Sequence, residues 1–220
     1  MKSLPKSVGI LGGTFNPVHL GHLRAAEEVA EALELEQVLF VPSAEPPHKG
    51  DSALAPAELR LDWVRAAIEG NPRFAVDALE VERGGPSYSV DTLRALAERL
   101  APGHPVFLIG CDAFAEIGSW RDPETVLELA SFAVMTRPPA VVTSLAEVLP
   151  PAAAGAFQVD ADGIGRHRDA ASWVRLVEIS ALEISASDIR ARIHAGASVR
   201  YLLPEAIRRT VLESGVYEPS

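Results

Sequence analysis

The chain has 220 residues, 48% of them hydrophobic, with 30 acidic side chains against 20 basic ones and a net charge of −10. That is enough length and apolar content for one domain with a full core, and the negative balance disfavours a general nucleic-acid role, so an anionic ligand would need a local nest of positive groups. The single cysteine, Cys111, allows no intrachain disulfide and points to a reducing compartment, and the VGIL run behind Lys2 and Lys6 is too short for a secretion signal or a membrane span, so a cytoplasmic protein with no membrane and no nucleic-acid partner is expected.

Strand-like and helical segments alternate along the chain. VGIL (8–11) predicts a first strand, and LRAAEEVAEALEL (23–35) a helix, with Ala26, Val29, Ala30 and Leu33 at helical period. VLFVP (38–42) predicts a buried strand stopped by proline, and SAEPPHKGD (43–51) a loop. Residues 56–69 predict a helix with Leu59, Trp63, Ala66 and Ala67 on one side. FAVDALEVE (74–82) reads as a strand, 89–100 as a helix, PVFLIG (105–110) as a buried strand, 122–130 as a short helix and FAVMT (132–136) as a strand. Residues 138–170, rich in Pro, Ala and Gly, are assigned only loosely, with one strand near 156–159. VRLVEI (174–179) is a strand, and SDIRARIHAG (187–196) and PEAIRRTVLESG (204–215) are terminal helices that each end in glycine. The alternation predicts a single α/β domain over 1–220, with a doubly wound parallel sheet, helices on both faces and a C-terminal helical segment over 187–220.

In an open parallel sheet, ligands bind beyond the carboxyl ends of the strands. The segment after the first strand is GGTFNPVHLGHL (12–23). Its glycines let backbone approach a ligand, and N–H groups at a helix start favour anions. Neither GxGxxG nor a P-loop is present. His19 and His22, at i and i+3, share a helix face. They can donate to phosphate oxygens, form part of an incomplete metal site, or be ordinary helix-start residues. Lys49, the only lysine beyond the first few residues, follows a Pro-Pro loop; it can reach phosphate as a point charge or stay solvated. Ser185 and Ser187 with first-turn N–H groups make a second anion site with Arg190 one turn in, or else the serines cap a helix beside a surface arginine. Asp112, after Gly110, can accept from a ribose or cap a helix. Trp120 lies in the polar GSWRDP and can stack on an aromatic ring. Ser87 and Tyr88 follow a Gly-Gly-Pro turn.

Taken together, these segments resemble the nucleotidyltransferase superfamily, which carries an HxGH or TxGH motif in its first loop, and within it the bacterial nicotinate-nucleotide adenylyltransferases, whose first motif reads GGTFDPIHxGH. PPHK (46–49), ERGGPSYSVDTL (82–93), GCDAFAEIGSW (110–120), TRP (136–138), ISASDIR (184–190) and YLLPEAI (201–207) follow in that family's order. The chain departs from the pattern at Asn16 for Asp, Ala186 and Ser187 for Ser-Thr, Ser89 for Thr and Pro139 for Gly. The resemblance implies a Rossmann-like fold and adenylyl transfer from ATP to nicotinate mononucleotide, with no covalent enzyme intermediate. The attacking phosphate oxygen is ionised at neutral pH, so positioning and charge stabilisation suffice. It further implies His19, His22, Lys49 and Arg190 in catalysis, and Gly12, Gly13, Thr14, Phe15, Gly110, Asp112, Ser185 and Ser187 around ATP. Ser87, Tyr88 and Trp120 fall around the acceptor, with backbone N–H groups near Ser87 and Tyr88 meeting the ring carboxylate. No protein-held metal is implied; magnesium arrives with ATP. A homo-oligomer is left open. The alternatives are another acceptor, such as nicotinamide mononucleotide or phosphopantetheine, and a nucleotide-binding regulator without catalysis, to which Asn16 gives the one hint.

Overall fold

The structure, a computed structural model, describes residues 7–47, 54–136, 144–180 and 182–219. Apolar runs become strands that are covered on both faces. Val8–Gly13 (β1) leads into Leu20–Ala32 (α1), followed by Gln37–Pro42 (β2) and Ala57–Ile68 (α2). Then come Phe74–Val76 (β3), Leu79–Arg83 (α3), Ser89–Leu100 (α4), Val106–Gly110 (β4) and Cys111–Ala115 (α5). A 3-10 turn at Ile117–Ser119 precedes Pro123–Leu129 (α6) and Ser131–Thr136 (β5). Another at Leu145–Glu147 leads to Pro151–Ala154 (α7), Phe157–Val159 (β6), Gly165–His167 (β7) and Trp173–Glu178 (β8). Ala186–His194 (α8) and Glu205–Glu213 (α9) follow.

All eight strands form one sheet in the order β3-β2-β1-β4-β5-β8-β7-β6. The ladders from β3 to β8 are parallel, as the alternation predicts. β7 and β6 add an antiparallel edge. Its turn closes because Asp160 Oδ1 accepts from the N–H groups of Asp162 and Ile164, both at 3.0 Å, and Gly163 supplies a φ of +78°. β6 matches the strand expected near 156–159; β7 is too short to show a period.

Two expectations need correction. The run 74–82 is not one strand. Asp77 turns the chain after Val76 by accepting from the Leu79 N–H at 3.1 Å, a local side-chain bond that ends an extended run, and α3 follows. The inward face of α2 is also rotated from the predicted one: Arg60, Leu61, Trp63, Val64 and Ile68 are buried, while Leu59, Ala66 and Ala67 are only partly so.

Strand alternation sends side chains to two cores. Leu11, Val38 and Phe40 meet α1, α2, α8 and α9 on one face. Ile10, Leu39 and Val41 meet α4, α5 and α6 on the other. β1 lies between β2 and β4, where the strand order reverses. Its ladder with β2 runs to Gly13 opposite Pro42, whereas with β4 it pairs Gly9 with Val106 and Ile10 with Phe107. The segments after β1 and β4 therefore flank the crevice at the switch point, where such sheets bind ligands. Among the described residues no helix is long and apolar enough to cross a membrane.

The tightest packing on β1 is at Gly9, where an added Cβ would lie 2.8 Å from Leu35 Cδ1 and 3.0 Å from Leu108 Cδ1. Gly9→Ala is expected to destabilise the fold by about 1–3 kcal/mol through overpacking, read as a lower urea midpoint at unchanged m-value.

Candidate active site

The chain leaves β1 through Gly12 and Gly13 into a tight reversal. A Cβ on Gly12 would stand 3.4 Å from the Phe107 ring, and one on Gly13 3.2 Å from the Phe15 ring. Both glycines thus make room for aromatic side chains as well as for any ligand. Phe15 takes a φ of +47° and is 2% exposed. Its ring sits 5.9 Å from that of Phe40 and meets His22 edge-on at 5.1 Å. The Phe15 side chain is therefore core, and what it offers a ligand is backbone.

Asn16 fixes the reversal. It is 4% exposed. Its Oδ1 accepts from the Ala55 N–H at 3.0 Å and from the Tyr217 hydroxyl, and its carbonyl accepts from Arg190 Nη1 at 3.0 Å. The first loop, the start of α2, α8 and the C-terminal segment are thereby joined at one residue. The amide that stands in for the family's usual aspartate is a buried double acceptor, a role that needs no charge.

α1 starts at Leu20, three residues before the predicted start, which makes His19 its N-cap and places His22 in its first turn. The two rings stack at 3.6 Å. His22 Nδ1 accepts from the His19 N–H at 3.2 Å, which puts the proton of the neutral His22 ring on Nε2. Gly21 leaves room beside the pair: a Cβ there would lie 3.0 Å from His19 Nδ1 and press on its ring. His19 is 6% exposed, and burial pushes its imidazole down to about 4. At neutral pH it can act as a hydrogen-bond donor but not as a cation. The Leu20 N–H is already taken by the Leu202 carbonyl at 3.1 Å, so part of the donor capacity expected at this helix start is used within the protein.

Thr14, Phe15, Asn16, His22, Leu54, Ala186 and Arg190 line one cleft. The structure thus brings His22 and Arg190, far apart in sequence, to the same opening. Ser185 is the N-cap of α8: its Oγ accepts from the Asp188 N–H at 3.1 Å and lies 3.1 Å from Ser187 Oγ. Capping accounts for Ser185 without a ligand. Lys49, with His48 and Gly50, lies outside the described residues, as do Arg137 and Pro138. Gly110 ends β4 with an ordinary φ of −69° and nothing within 4 Å of a Cβ. Neither conformation nor packing requires glycine there; open space lies in front of it. Asp112 is exposed in the first turn of α5. No three His, Cys, Asp or Glu side chains among the described residues gather as a metal site.

The expected acceptor side lies around α4. Ser87 is engaged twice: its Oγ accepts from the Ala44 N–H and its own N–H donates to the Glu45 carbonyl, each at 2.9 Å. That N–H is therefore already used within the protein. Tyr88 is the N-cap of α4. The Arg121 guanidinium rests 4.7 Å above the Tyr88 ring, and Trp120 meets Phe107 edge-on at 6.1 Å.

Sequence reasoning missed Arg60, Tyr217 and Arg121. Arg60 is 0% exposed and donates to three backbone carbonyls, those of Ala55, Thr14 and Ala44. The signal was available: Arg60 lies three residues before Trp63 and four before Val64, on the buried stripe.

A Rossmann-like sheet with a glycine loop, paired histidines and an arginine at its switch point defines a nucleotide-binding protein of the nucleotidyltransferase class. The chain belongs to the cytidylyltransferase-like family, whose pattern matches residues 10–192. It is 42% identical over 213 residues to a protein of Citrifermentans bemidjiense, covering 96% of this chain and 97% of that one. It is 44% identical over 210 residues to one of Geobacter sulfurreducens, covering 95% and 97%. Both relatives are named "Probable nicotinate-nucleotide adenylyltransferase". The fold is similar to that of Plasmodium falciparum nicotinic acid mononucleotide adenylyltransferase complexed with NaAD, with a TM-score of 0.72, 16% identity, and 96% of this chain and 97% of that one covered.

Two outcomes follow from the geometry. An unfolded imidazole takes its proton near 6.5 and the folded His19 near 4. Between those values the unfolded chain binds more protons, so stability falls as pH drops from 6.5 to 4, by about 3 kcal/mol in all. Without nucleotide, wild type is expected to lose Tm more steeply than His19→Gln over that window; parallel curves would mean a solvated ring. At the reversal, Asn16→Ala strands two buried donors and is expected to cost about 2–5 kcal/mol. Asn16→Asp keeps both acceptor contacts and should lose less, measured by denaturant titration.

Proposed function

We propose that the protein transfers the adenylyl group of ATP to nicotinate mononucleotide, giving nicotinate adenine dinucleotide and pyrophosphate, a step in NAD biosynthesis. The observation that carries this reading is the gathering of the 14–16 backbone, His22 and Arg190 around one cleft at the switch point. The chain that folds this way matches enzymes so named, at 42–44% identity, over nearly its full length.

The substrate is ATP with its magnesium, whose coordination the triphosphate and water supply. The loop backbone at 12–16 lies against the phosphates. His22, whose Nδ1 is engaged by the His19 N–H, donates from Nε2, neutral His19 is a second donor, and Arg190, beside the Asn16 carbonyl, supplies charge. Lys49 is assigned a phosphate contact from the sequence pattern. An oxygen of the acceptor's 5′-phosphate attacks the α-phosphorus in line, the bond to the β-phosphate oxygen breaks, and pyrophosphate leaves with that electron pair. The nucleophile is already ionised, so the site needs donors fixed around developing charge rather than a base. The open space before Gly110 and the exposed Asp112 suit the nucleoside. On the acceptor side Trp120 offers a face for the pyridine ring, with Tyr88 and Arg121 beside it. A guanidinium there favours a ring carboxylate over a neutral amide.

The test is pyrophosphate release with MgATP and a panel of acceptors. Nicotinate mononucleotide is expected to exceed nicotinamide mononucleotide by about 10²–10⁴ in kcat/KM, because the amide sets donors against donors. Trp120→Ala should weaken both acceptors without reversing the order. Equal use of the two would instead indicate a dual-specificity enzyme, and no release with any acceptor would overturn the assignment.

A further inference from the structure

Arg60 is a fully buried guanidinium that makes no ion pair among the described residues. Nη1 donates to the Thr14 carbonyl at 2.6 Å, Nη2 to the Ala44 carbonyl at 2.9 Å and Nε to the Ala55 carbonyl at 2.9 Å. Thr14 lies in the reversal after β1, and Ala44 and Ala55 lie near the two ends of the connection between β2 and α2. Thr14 lines the cleft, and so does Leu54, next to Ala55. The Ala55 N–H is the one held by Asn16 Oδ1. Ala44 passes the connection on. Its N–H donates to Ser87 Oγ, the Ser87 N–H returns to Glu45, and Glu45 bridges Pro86. A planar fork thus spans the loop assigned to the triphosphate and, through residues 44–45, the loop assigned to the acceptor.

The partner such a cation would ordinarily have is absent. Glu80 is the acid whose field reaches Arg60, but burial pushes its carboxyl up and it accepts from the Thr92 hydroxyl at 2.5 Å. A buried arginine whose hydrogen-bond acceptors are all backbone carbonyls is costly unless its geometry is needed. The reversal after β1 and both ends of the connection between β2 and α2 are what it holds, just beyond the point where the β1–β2 ladder stops.

We infer that Arg60 is a positioning residue that sets the phosphate loop and the acceptor loop in one register, so that the two substrates meet in line. This rests on the proposed adenylyl transfer for its consequence, though not for its structural content. Lysine keeps the charge but offers a single point in place of the fork, which makes Arg60→Lys the informative variant. Arg65, on the same helix and paired with Asp62 at the surface, provides the control as Arg65→Lys.

Two measurements on the full chain separate the inference from the reaction it serves. In hydrogen exchange, Arg60→Lys is expected to speed the amides of 14–16, 44–45 and 86–88 by about tenfold or more, with α4 and α6 unchanged. In steady state, kcat should fall by about tenfold or more, since a small misplacement of reacting groups is expensive, and the KM values for MgATP and for nicotinate mononucleotide should both rise. Arg65→Lys should match wild type in both. Faster exchange at 14–16 alone, with 86–88 as in wild type, would show that Arg60 serves one loop and overturn the coupling. Unchanged exchange in all three loops, or uniform acceleration across the fold, would overturn it as well. If wild type released no pyrophosphate, the reaction would be misassigned while the exchange result still decided the role of Arg60.

Discussion

The side-chain oxygen of Asn16 accepts two hydrogen bonds, one from the start of α2 and one from Tyr217, and the same residue's carbonyl takes a third from Arg190. The donors lie 39, 201 and 174 residues away along the chain. Apolar packing lays α8 and α9 against the sheet, and this convergence ties α8 and the C-terminal segment to the loop at the carboxyl end of β1. The cleft consists of the loop containing Asn16 on one side and Ala186 with Arg190 on the other, so its walls exist because a single buried amide binds them together. Burial makes the arrangement stiff, since an unpaired partner in that place would carry a full desolvation penalty.

The electrostatics follow from the same burial. A chain with a net charge of −10 must gather positive charge to hold an anion, and one obvious candidate, His19, does not supply it as a cation, because desolvation holds it neutral. Positive charge comes instead from arginines at three depths. Arg190 reaches the loop from α8, Arg60 lies buried behind it, and Arg121 sits over Tyr88 on the far side. The histidines contribute direction and the arginines contribute field. This division suits a reaction whose nucleophile needs no deprotonation.

Much of the fold was legible because its strands are buried on both faces and read as short, unbroken apolar runs between helices. The exceptions have local causes. Residues 74–82 are apolar at six of nine positions, and the Asp77 side chain, bonded two residues on, breaks the run. β7 has three residues and is defined by its partners rather than its composition. Within the site, residues that sit in a recognisable motif, such as His19, His22 and Arg190, could be named. Residues that act by reaching backbone could not. Arg60 looks like any helix arginine until the carbonyls of Thr14, Ala44 and Ala55 are found around it, and Tyr217 belongs to no motif. Asn16 drew notice for a missing charge, whereas its work is to accept two hydrogen bonds in the interior. Ser87 showed the reverse: it was marked for a ligand, and its N–H and hydroxyl are both used to join loops.

The Tyr217 contact also bears on how the molecule comes into being. A polypeptide is made from its amino end, so the glycine loop emerges well before the hydroxyl that fixes Asn16, which is made 201 residues later. The parallel strands can begin to pair as they appear, but the nucleotide pocket cannot close until α8 and α9 have been synthesised and laid across the sheet. Contacts of such long separation are slow to form. A chain interrupted before α9 would therefore carry the glycine-histidine signature without the Tyr217 contact that fixes its loop.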